Sequence, residues 1–211
     1  MKSLFLGLLS LLLLSCSSAR FVDSWKNESL SASFQPDQVL VMAITENQTA
    51  RRLFEDRLAN EFRTRLVGAS QSYTMANMVP ASGGLSEEEL DRLAHDLSAK
   101  GFDAILITSV KGVDVHHQHD LGYTNVQSYY GRFGRYYYLY QDIYYQPDRV
   151  IEYDIYHVES AFYTLGTGME NNLIWIGSFD LINPRDIGRS AGDYIASLLR
   201  RMEKEGILPD A

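Results

Sequence analysis

The stretch DAILITSV, residues 103–110, is an apolar run with the length of a single strand. A strand that is apolar on both faces is typical of a sheet covered by helices on both sides. The run QVLVMAI, residues 38–44, has the same character. The two runs therefore predict two buried strands within an α/β domain.

The segments next to these runs have helical periodicity. Thr45 and Gln48 form a capping box, and apolar residues at helical spacing follow as far as Gly68, which is expected to end the helix. Residues 70–79 are predicted to form a strand, and a second amphipathic helix is expected to end at Gly101. The resulting order of strand, helix, strand, helix, strand favours parallel pairing through right-handed crossovers.

The last third of the chain changes to β-branched and aromatic runs. Residues 149–165 and 172–182 are predicted to pair as a hairpin, because a Gly-rich stretch joins them. Trp175 lies in the middle of the second run and is predicted to belong to the core. Asn183 and Pro184 are typical of a helix cap and first turn, so a last helix is expected after them.

These elements predict one α/β domain with a single mixed sheet. Its expected order is βαβαβ, then a Tyr-rich insertion, then ββα; the domain covers residues 37–211 and the insertion residues 113–148. A chain of this length can bury an adequate core in one domain. The net charge of −8 at pH 7 argues against a nucleic-acid partner, which would require a basic surface.

The amino terminus has the features of a signal peptide. Lys2 precedes the apolar run Leu4–Leu14, which is shorter than the roughly 20 residues that a membrane-spanning helix needs. Residues 1–15 are therefore expected to be removed. Residues 16–36 are polar and rich in Ser, and they are expected to form a flexible tether that leads to the domain.

The sequence LLSCSS, residues 13–18, follows this apolar run. It resembles the lipobox of bacterial lipoproteins, which implies that Cys16 becomes the first residue and carries two or three acyl chains, palmitate among them. That number of chains anchors a protein stably to a bilayer. The resemblance also implies that Ser17 directs the protein to the outer membrane, facing the periplasm. The alternative is an ordinary signal peptide with an incidental cysteine. Cys16 is the only cysteine, so no intramolecular disulfide is possible.

The element order behind this lipobox resembles the periplasmic lipoprotein domains related to the TolB amino-terminal domain, the curli-secretion lipoprotein and the outer-membrane activators of penicillin-binding proteins. Three stretches also resemble a group of uncharacterised bacterial lipoproteins: TARRLFEDRLANEF at 49–62, GFDAILITSV at 101–110 and LIWIGSF at 173–179. The resemblance implies a non-enzymatic function in the cell envelope. In agreement, the chain has no P-loop, nucleophile elbow, HExxH or paired-cysteine metal motif.

One cluster of potential metal ligands stands out in DVHHQHD, residues 114–120. In an extended segment His117 and His119 project to one face and His116 to the other, so the first two imidazoles could share a metal ion. His157, on a later strand, could supply a third ligand. The alternative is the polar end of a strand with solvated histidines.

The stretch SYYGRFGRYYYLYQDIYYQ, residues 128–146, contains eight of the fourteen tyrosines. Tyrosine offers a large contact area at low entropic cost, which suits a surface that binds a protein or stacks on sugar rings. Two alternatives are a membrane-inserting hairpin of an oligomeric pore, whose alternating pattern is missing, and a loop without a partner. The eight are Tyr129, Tyr130, Tyr136, Tyr137, Tyr138, Tyr140, Tyr144 and Tyr145.

The leading functional hypothesis is a non-catalytic lipoprotein of the bacterial envelope that binds a protein or peptidoglycan through the Tyr-rich insertion. The only expected prosthetic group is the lipid on Cys16, with a metal ion as a further possibility. One alternative is a metal-binding lipoprotein that uses the histidine cluster. Another is a self-assembling lipoprotein of the secretion type, in which the partner is a second copy of the chain.

Overall fold

The computed structural model describes residues 17–45, 47–75, 87–120, 149–165 and 173–209, which contain six strands and four α-helices. No helix in these ranges is long and apolar enough to cross a membrane. A 3₁₀-helix, Ser72–Met75, follows the third strand. In chain order the elements are β1 (Ala19–Lys26), α1 (Glu28–Ser33), β2 (Gln38–Ile44), α2 (Gln48–Thr64), β3 (Gly68–Gln71), α3 (Glu87–Ala99), β4 (Ala104–Asp120), β5 (Arg149–Thr164), β6 (Leu173–Ile182) and α4 (Ile187–Lys204).

The strands form one mixed sheet with the order β1-β6-β5-β4-β2-β3. β2 pairs in parallel with β3 and with β4, whereas β4 with β5, β5 with β6 and β6 with β1 are antiparallel. The mixed-sheet α/β fold and the parallel pairing of the first half are therefore confirmed. The predicted hairpin of the last third is confirmed as the pair β5 and β6.

The sheet is covered on both faces at β2, as its continuous apolar run predicts. Val39 and Val41 face α2 and α4 in the larger core cluster, while Leu40 packs with Leu97 of α3 on the other face. All three β2 residues are fully buried. Trp175 is also fully buried, which confirms its predicted place in the core.

The amino-terminal segment corrects the expectation of a flexible tether over residues 16–36. Residues 19–26 form the edge strand β1 along β6, and residues 28–33 form α1, which Asn27 caps. The edge of β6 offers backbone hydrogen bonds, and Phe21 packs edge-on against Phe179 with ring centroids 5.6 Å apart. This apolar contact between distant parts of the chain orders a segment whose composition is polar.

Four predicted boundaries differ from the structure. Helix α2 ends at Thr64, and Gly68, which was expected to end it, is the first residue of β3. β3 is four residues long rather than the predicted 70–79, because the chain turns into the 3₁₀-helix at Ser72. Helix α2 is capped by Asn47, whose side chain accepts a hydrogen bond from the Ala50 N–H, rather than by Thr45. Helix α4 is capped by Asp186 rather than Asn183.

The β4–β5 hairpin is longer than the sheet that supports it. β4 pairs with β2 as far as Ser109, and β5 pairs with β6 only from Ile155 onward. Residues 115–120 and 149–154 therefore pair only with each other, and we call this two-stranded extension the ribbon. The predicted insertion at 113–148 is thus corrected at its start, because residues 113–120 belong to β4.

Candidate functional site

Several elements of the domain meet at one end of the sheet. β2 and β6 end there, β1 begins there, and α2 and α4 have their first residues there. Ser18 lies at this end, because its carbonyl accepts a hydrogen bond of 2.8 Å from the Ile182 N–H at the end of β6. We call this region the Ser18 end. Ligands of α/β proteins commonly bind beyond the carboxyl ends of parallel strands, and β2, which pairs in parallel with β3 and β4, presents its carboxyl end here.

A cavity of about 310 Å³ lies at the Ser18 end between α2, α4 and the sheet. Its volume is at the lower limit for small-molecule sites. The wall is mostly apolar, so the cavity suits an apolar group rather than a charged one. The apolar residues that line it include Ala43, Phe54, Val158, Leu181, Pro184 and Ile187.

The polar groups at the back of this cavity are bonded to one another. The Ser160 hydroxyl lies 2.8 Å from the Tyr194 hydroxyl and 2.5 Å from the Thr108 hydroxyl. Burial raises the pKa of Tyr194, and the hydrogen bond with Ser160 only partly opposes this effect, so the phenol stays protonated. No buried side-chain nitrogen or oxygen of the described residues lacks a partner. The buried polar groups at the back of the cavity are therefore satisfied within the domain, and the cavity offers mainly shape and apolar contact.

A row of charged side chains crosses four strands at this end, on the sheet face that α3 also occupies. Asp180 of β6 accepts from Arg20 at 2.5 Å and lies 2.8 Å from Nδ1 of His157. Nε2 of the same imidazole lies 3.1 Å from Asp114 of β4. The Asp180 side chain is almost fully buried, whereas the other three are at least two-fifths exposed. We call this set the Arg20–Asp114 row.

Electrostatics favour the charged forms in this row. Hydrogen bonds to Asp114 and then to Asp180 raise the pKa of His157. For Asp180, burial alone would raise the pKa, but hydrogen bonds from Arg20 and His157 outweigh it and lower the pKa. Both imidazole nitrogens already contact carboxylates, so His157 has no free lone pair for proton transfer or metal binding. The arrangement indicates a structural role.

A pH-dependent stability is expected from this row. The folded pKa of His157 lies above its unfolded value, so its contribution is complete below about pH 6.5 and is lost as pH rises through the raised value. His157→Gln should therefore reduce the melting temperature more at about pH 5.5 than at about pH 8.5. His95→Gln, at an exposed histidine of α3, is the matched control and should change the melting temperature little. Equal losses at both pH values for His157→Gln would contradict the prediction.

A second, fully buried ionic cluster fixes α2 to the sheet beside the cavity. Glu55 accepts hydrogen bonds from Arg51 at 3.0 Å, from Ser72 at 2.8 Å and from the backbone N–H groups of Ala43 and Tyr73. Arg51 also donates to the Ser72 hydroxyl at 2.7 Å. All the bonds lie within the domain, so the cluster connects α2, the end of β2 and the 3₁₀-helix and leaves nothing for a ligand.

An open groove of about 590 Å³ runs between α2 and α4. Arg65 on its floor is bound by Glu61 at 2.9 Å and by Glu203 at 2.6 Å. Arg57 donates to the carbonyl of Gly188. These two arginines are already engaged within the chain, so we assign no ligand to the groove.

The structure separates His157 from the other two histidines of the predicted metal site, His117 and His119. The backbone of His117 pairs with Glu152, whereas His157 pairs with Gly112. Five residues of β5 separate these two positions, which is roughly 17 Å along the strand. One metal ion cannot bridge that distance, so His157 does not join His117 and His119. The residues whose side chains are described contain no group of three metal-ligating side chains.

Other predicted site residues lie outside the described residues. They are the lipidated Cys16 and the eight tyrosines at 129–145. The sequence also did not identify the Arg20–Asp114 row. A usable signal was present, because Asp180 is a lone carboxylate within the apolar strand LIWIGSFDLI. A charge in such a run indicates a buried partner.

Comparisons with known proteins gave structural neighbours only. The chain matches no protein-family model and no curated protein sequence. A PelC dodecamer from Paraburkholderia phytofirmans has a TM-score of 0.44 and 12% identity, covering 92% of this chain and 98% of that one. A variant of the same protein has a TM-score of 0.42 and 14% identity, covering 87% and 95%. Lipoprotein GNA1162 from Neisseria meningitidis has a TM-score of 0.43 and 10% identity, covering 80% and 99%.

Proposed function

We propose that this chain is a lipid-anchored protein of the bacterial cell envelope that has no catalytic activity and binds an envelope partner through residues 121–148. The observation that carries the proposal is the ribbon, which extends beyond the sheet and continues into that Tyr-rich segment. The partner is a protein or peptidoglycan. The anchor is the acylated Cys16, and the favoured location is the outer membrane, facing the periplasm.

The sequence around Cys16 supports the anchor. The cysteine follows an apolar run of signal-peptide length after one serine, and it lies within LLSCSS. No other cysteine exists with which it could form a disulfide. Two or three acyl chains hold a protein durably on a bilayer, and a single chain does not.

The ribbon supports the binding role. Asp120 and Arg149, its last pair, hold the two ends of the Tyr-rich segment about 5 Å apart. The base of the ribbon is fixed by the pairing of β4 with β2 and of β5 with β6. Holding both ends of a segment reduces the freedom that it loses on binding, and tyrosines add contact area at low entropic cost.

The absence of catalysis is part of the proposal and is supported by the saturation of the polar clusters. The imidazole of His157 is engaged by two carboxylates, the Glu55 carboxylate by four donors and the Tyr194 hydroxyl by Ser160. A catalytic base or nucleophile must be accessible to a reacting group. Glu55 and Tyr194 are buried, and both ring nitrogens of the exposed His157 are engaged by carboxylates.

The test is in-cell crosslinking followed by capture of the anchored protein. One variant replaces residues 121–148 with Asn-Gly, a turn that suits the paired ends at Asp120 and Arg149. A matched variant keeps the length of the segment and changes the eight tyrosines at 129–145 to Ser. We expect one protein or peptidoglycan species to be captured by the parent and lost from both variants. Capture of the same species by all three proteins would overturn the binding role.

A further inference from the structure

Ser18 is firmly fixed to the domain. Its N–H and its hydroxyl both donate to Asp193 of α4 at 2.8 Å, and its carbonyl accepts from Ile182. Only Ser17 separates Ser18 from Cys16. Two residues of extended chain span at most roughly 7 Å. If Cys16 is acylated, the lipid interface therefore lies within about that distance of the Ser18 end.

The exposed apolar side chains are concentrated at the same end. Nine large apolar residues are exposed in the described part of the chain, and six of them lie at the Ser18 end or on the ribbon. Five of the six are on strands of the sheet, and one is the first residue of α4. The six are Ile44, Val110, Val113, Val115, Ile182 and Ile187.

The charges at this end are mixed. Arg20, Arg185 and Arg189 are exposed, but so are Asp114 and Asp186, and Arg20 is paired with Asp180. Anionic headgroups would attract a surface that is predominantly basic, which this one is not. The favourable contribution that remains is the burial of the apolar side chains in lipid. This contribution does not require charged lipids.

We infer that the Ser18 end rests on the membrane and that its exposed apolar side chains contact lipid. The inference rests on the proposed acylation of Cys16. The fixed Ser18 brings this end to the bilayer, and the apolar side chains favour contact once it is there.

The test measures the proximity of two positions to lipid in the full, lipidated protein. Acylation blocks the sulfur of Cys16, so an introduced cysteine can be labelled alone. Ile187→Cys places an environment-sensitive fluorophore at the Ser18 end, and Leu66→Cys places it at the opposite end, where the side chain is 96% exposed. The proteins are reconstituted in vesicles of phosphatidylcholine, with or without phosphatidylglycerol, that contain doxyl-labelled lipid as the quencher. Flotation with the vesicles verifies anchoring.

We expect severalfold stronger quenching at position 187 than at position 66, in both kinds of vesicle. Equal, weak quenching at the two positions in a protein that floats would overturn the inference and leave the anchor standing. A label at 187 that is shielded from water but not quenched by lipid would indicate a second copy on this end, which also overturns it. A protein that does not float would overturn the anchor and, with it, this inference.

Discussion

Trp175→Ala is expected to lower the free energy of unfolding by about 3–5 kcal/mol. The side chain is fully buried in the larger core cluster, and its indole N–H donates to Glu205 at the end of α4. The ring also lies directly on Gly177, where a methyl group would overlap it. Removal of the indole therefore opens a cavity that the rigid sheet cannot close. Urea unfolding monitored by circular dichroism gives the loss and shows whether the m-value is unchanged.

Trp25→Ala is the matched control for this prediction. Trp25 is the only other tryptophan, lies on the edge strand β1, and is 51% exposed. We expect its loss to cost no more than about 1 kcal/mol, because surface substitutions have small effects. Similar losses for the two variants would contradict the placement of Trp175 at the centre of the core.

Glu55→Ala is expected to destabilise the domain by a similar amount, about 3–5 kcal/mol. The substitution leaves Arg51 buried and without its carboxylate, since only 4% of that residue is exposed. It also removes the acceptor of the Ala43 and Tyr73 N–H groups. An unpaired buried charge is costly because the interior cannot solvate it. The measurement is again urea unfolding of the parent and the variant.

Two further variants test whether the loss of stability comes from breaking the buried ion pair or simply from replacing a glutamate of α2. Glu61→Ala removes a half-exposed carboxylate from the same helix, and we expect a loss within about 1 kcal/mol. Replacing Arg51 by Met together with Glu55 by Leu should recover part of the stability, because apolar pairs can replace buried ion pairs. A double variant as unstable as Glu55→Ala would show that the isolated charge is not the cause.

The sequence predicts those parts of the fold that are determined by a local pattern of residues. The apolar run at 38–44 specifies a central strand, and the burial of Trp175 follows from its place within another apolar run. The sequence does not predict β1, because the order of this strand depends on pairing with β6, about 150–160 residues away. The caps of α2 and α4 were displaced by two or three residues, since Asn47 and Asp186 compete successfully with nearby polar residues.

The lone Asp180 signals a buried partner, but the sequence does not identify the other members of the Arg20–Asp114 row, for a related reason. Its members come from four strands, and only the register of those strands brings them within hydrogen-bonding distance. Spacing along the chain grouped His157 with His117 and His119, whereas the register groups it with Asp114 and Asp180. The acylation of Cys16 and the role of the tyrosines stay predictions.

The short link between Cys16 and Ser18 also determines how this protein would encounter a partner. A flexible leash of about 20 residues would let a domain search a distance of about 25 Å around its anchor. Here β1 and α1 hold most of that segment on the domain, and the remaining link spans roughly 7 Å. With Cys16 acylated as proposed, the domain would diffuse in two dimensions and swivel little. Its partner would then have to approach the membrane surface, because the domain could not move far from it.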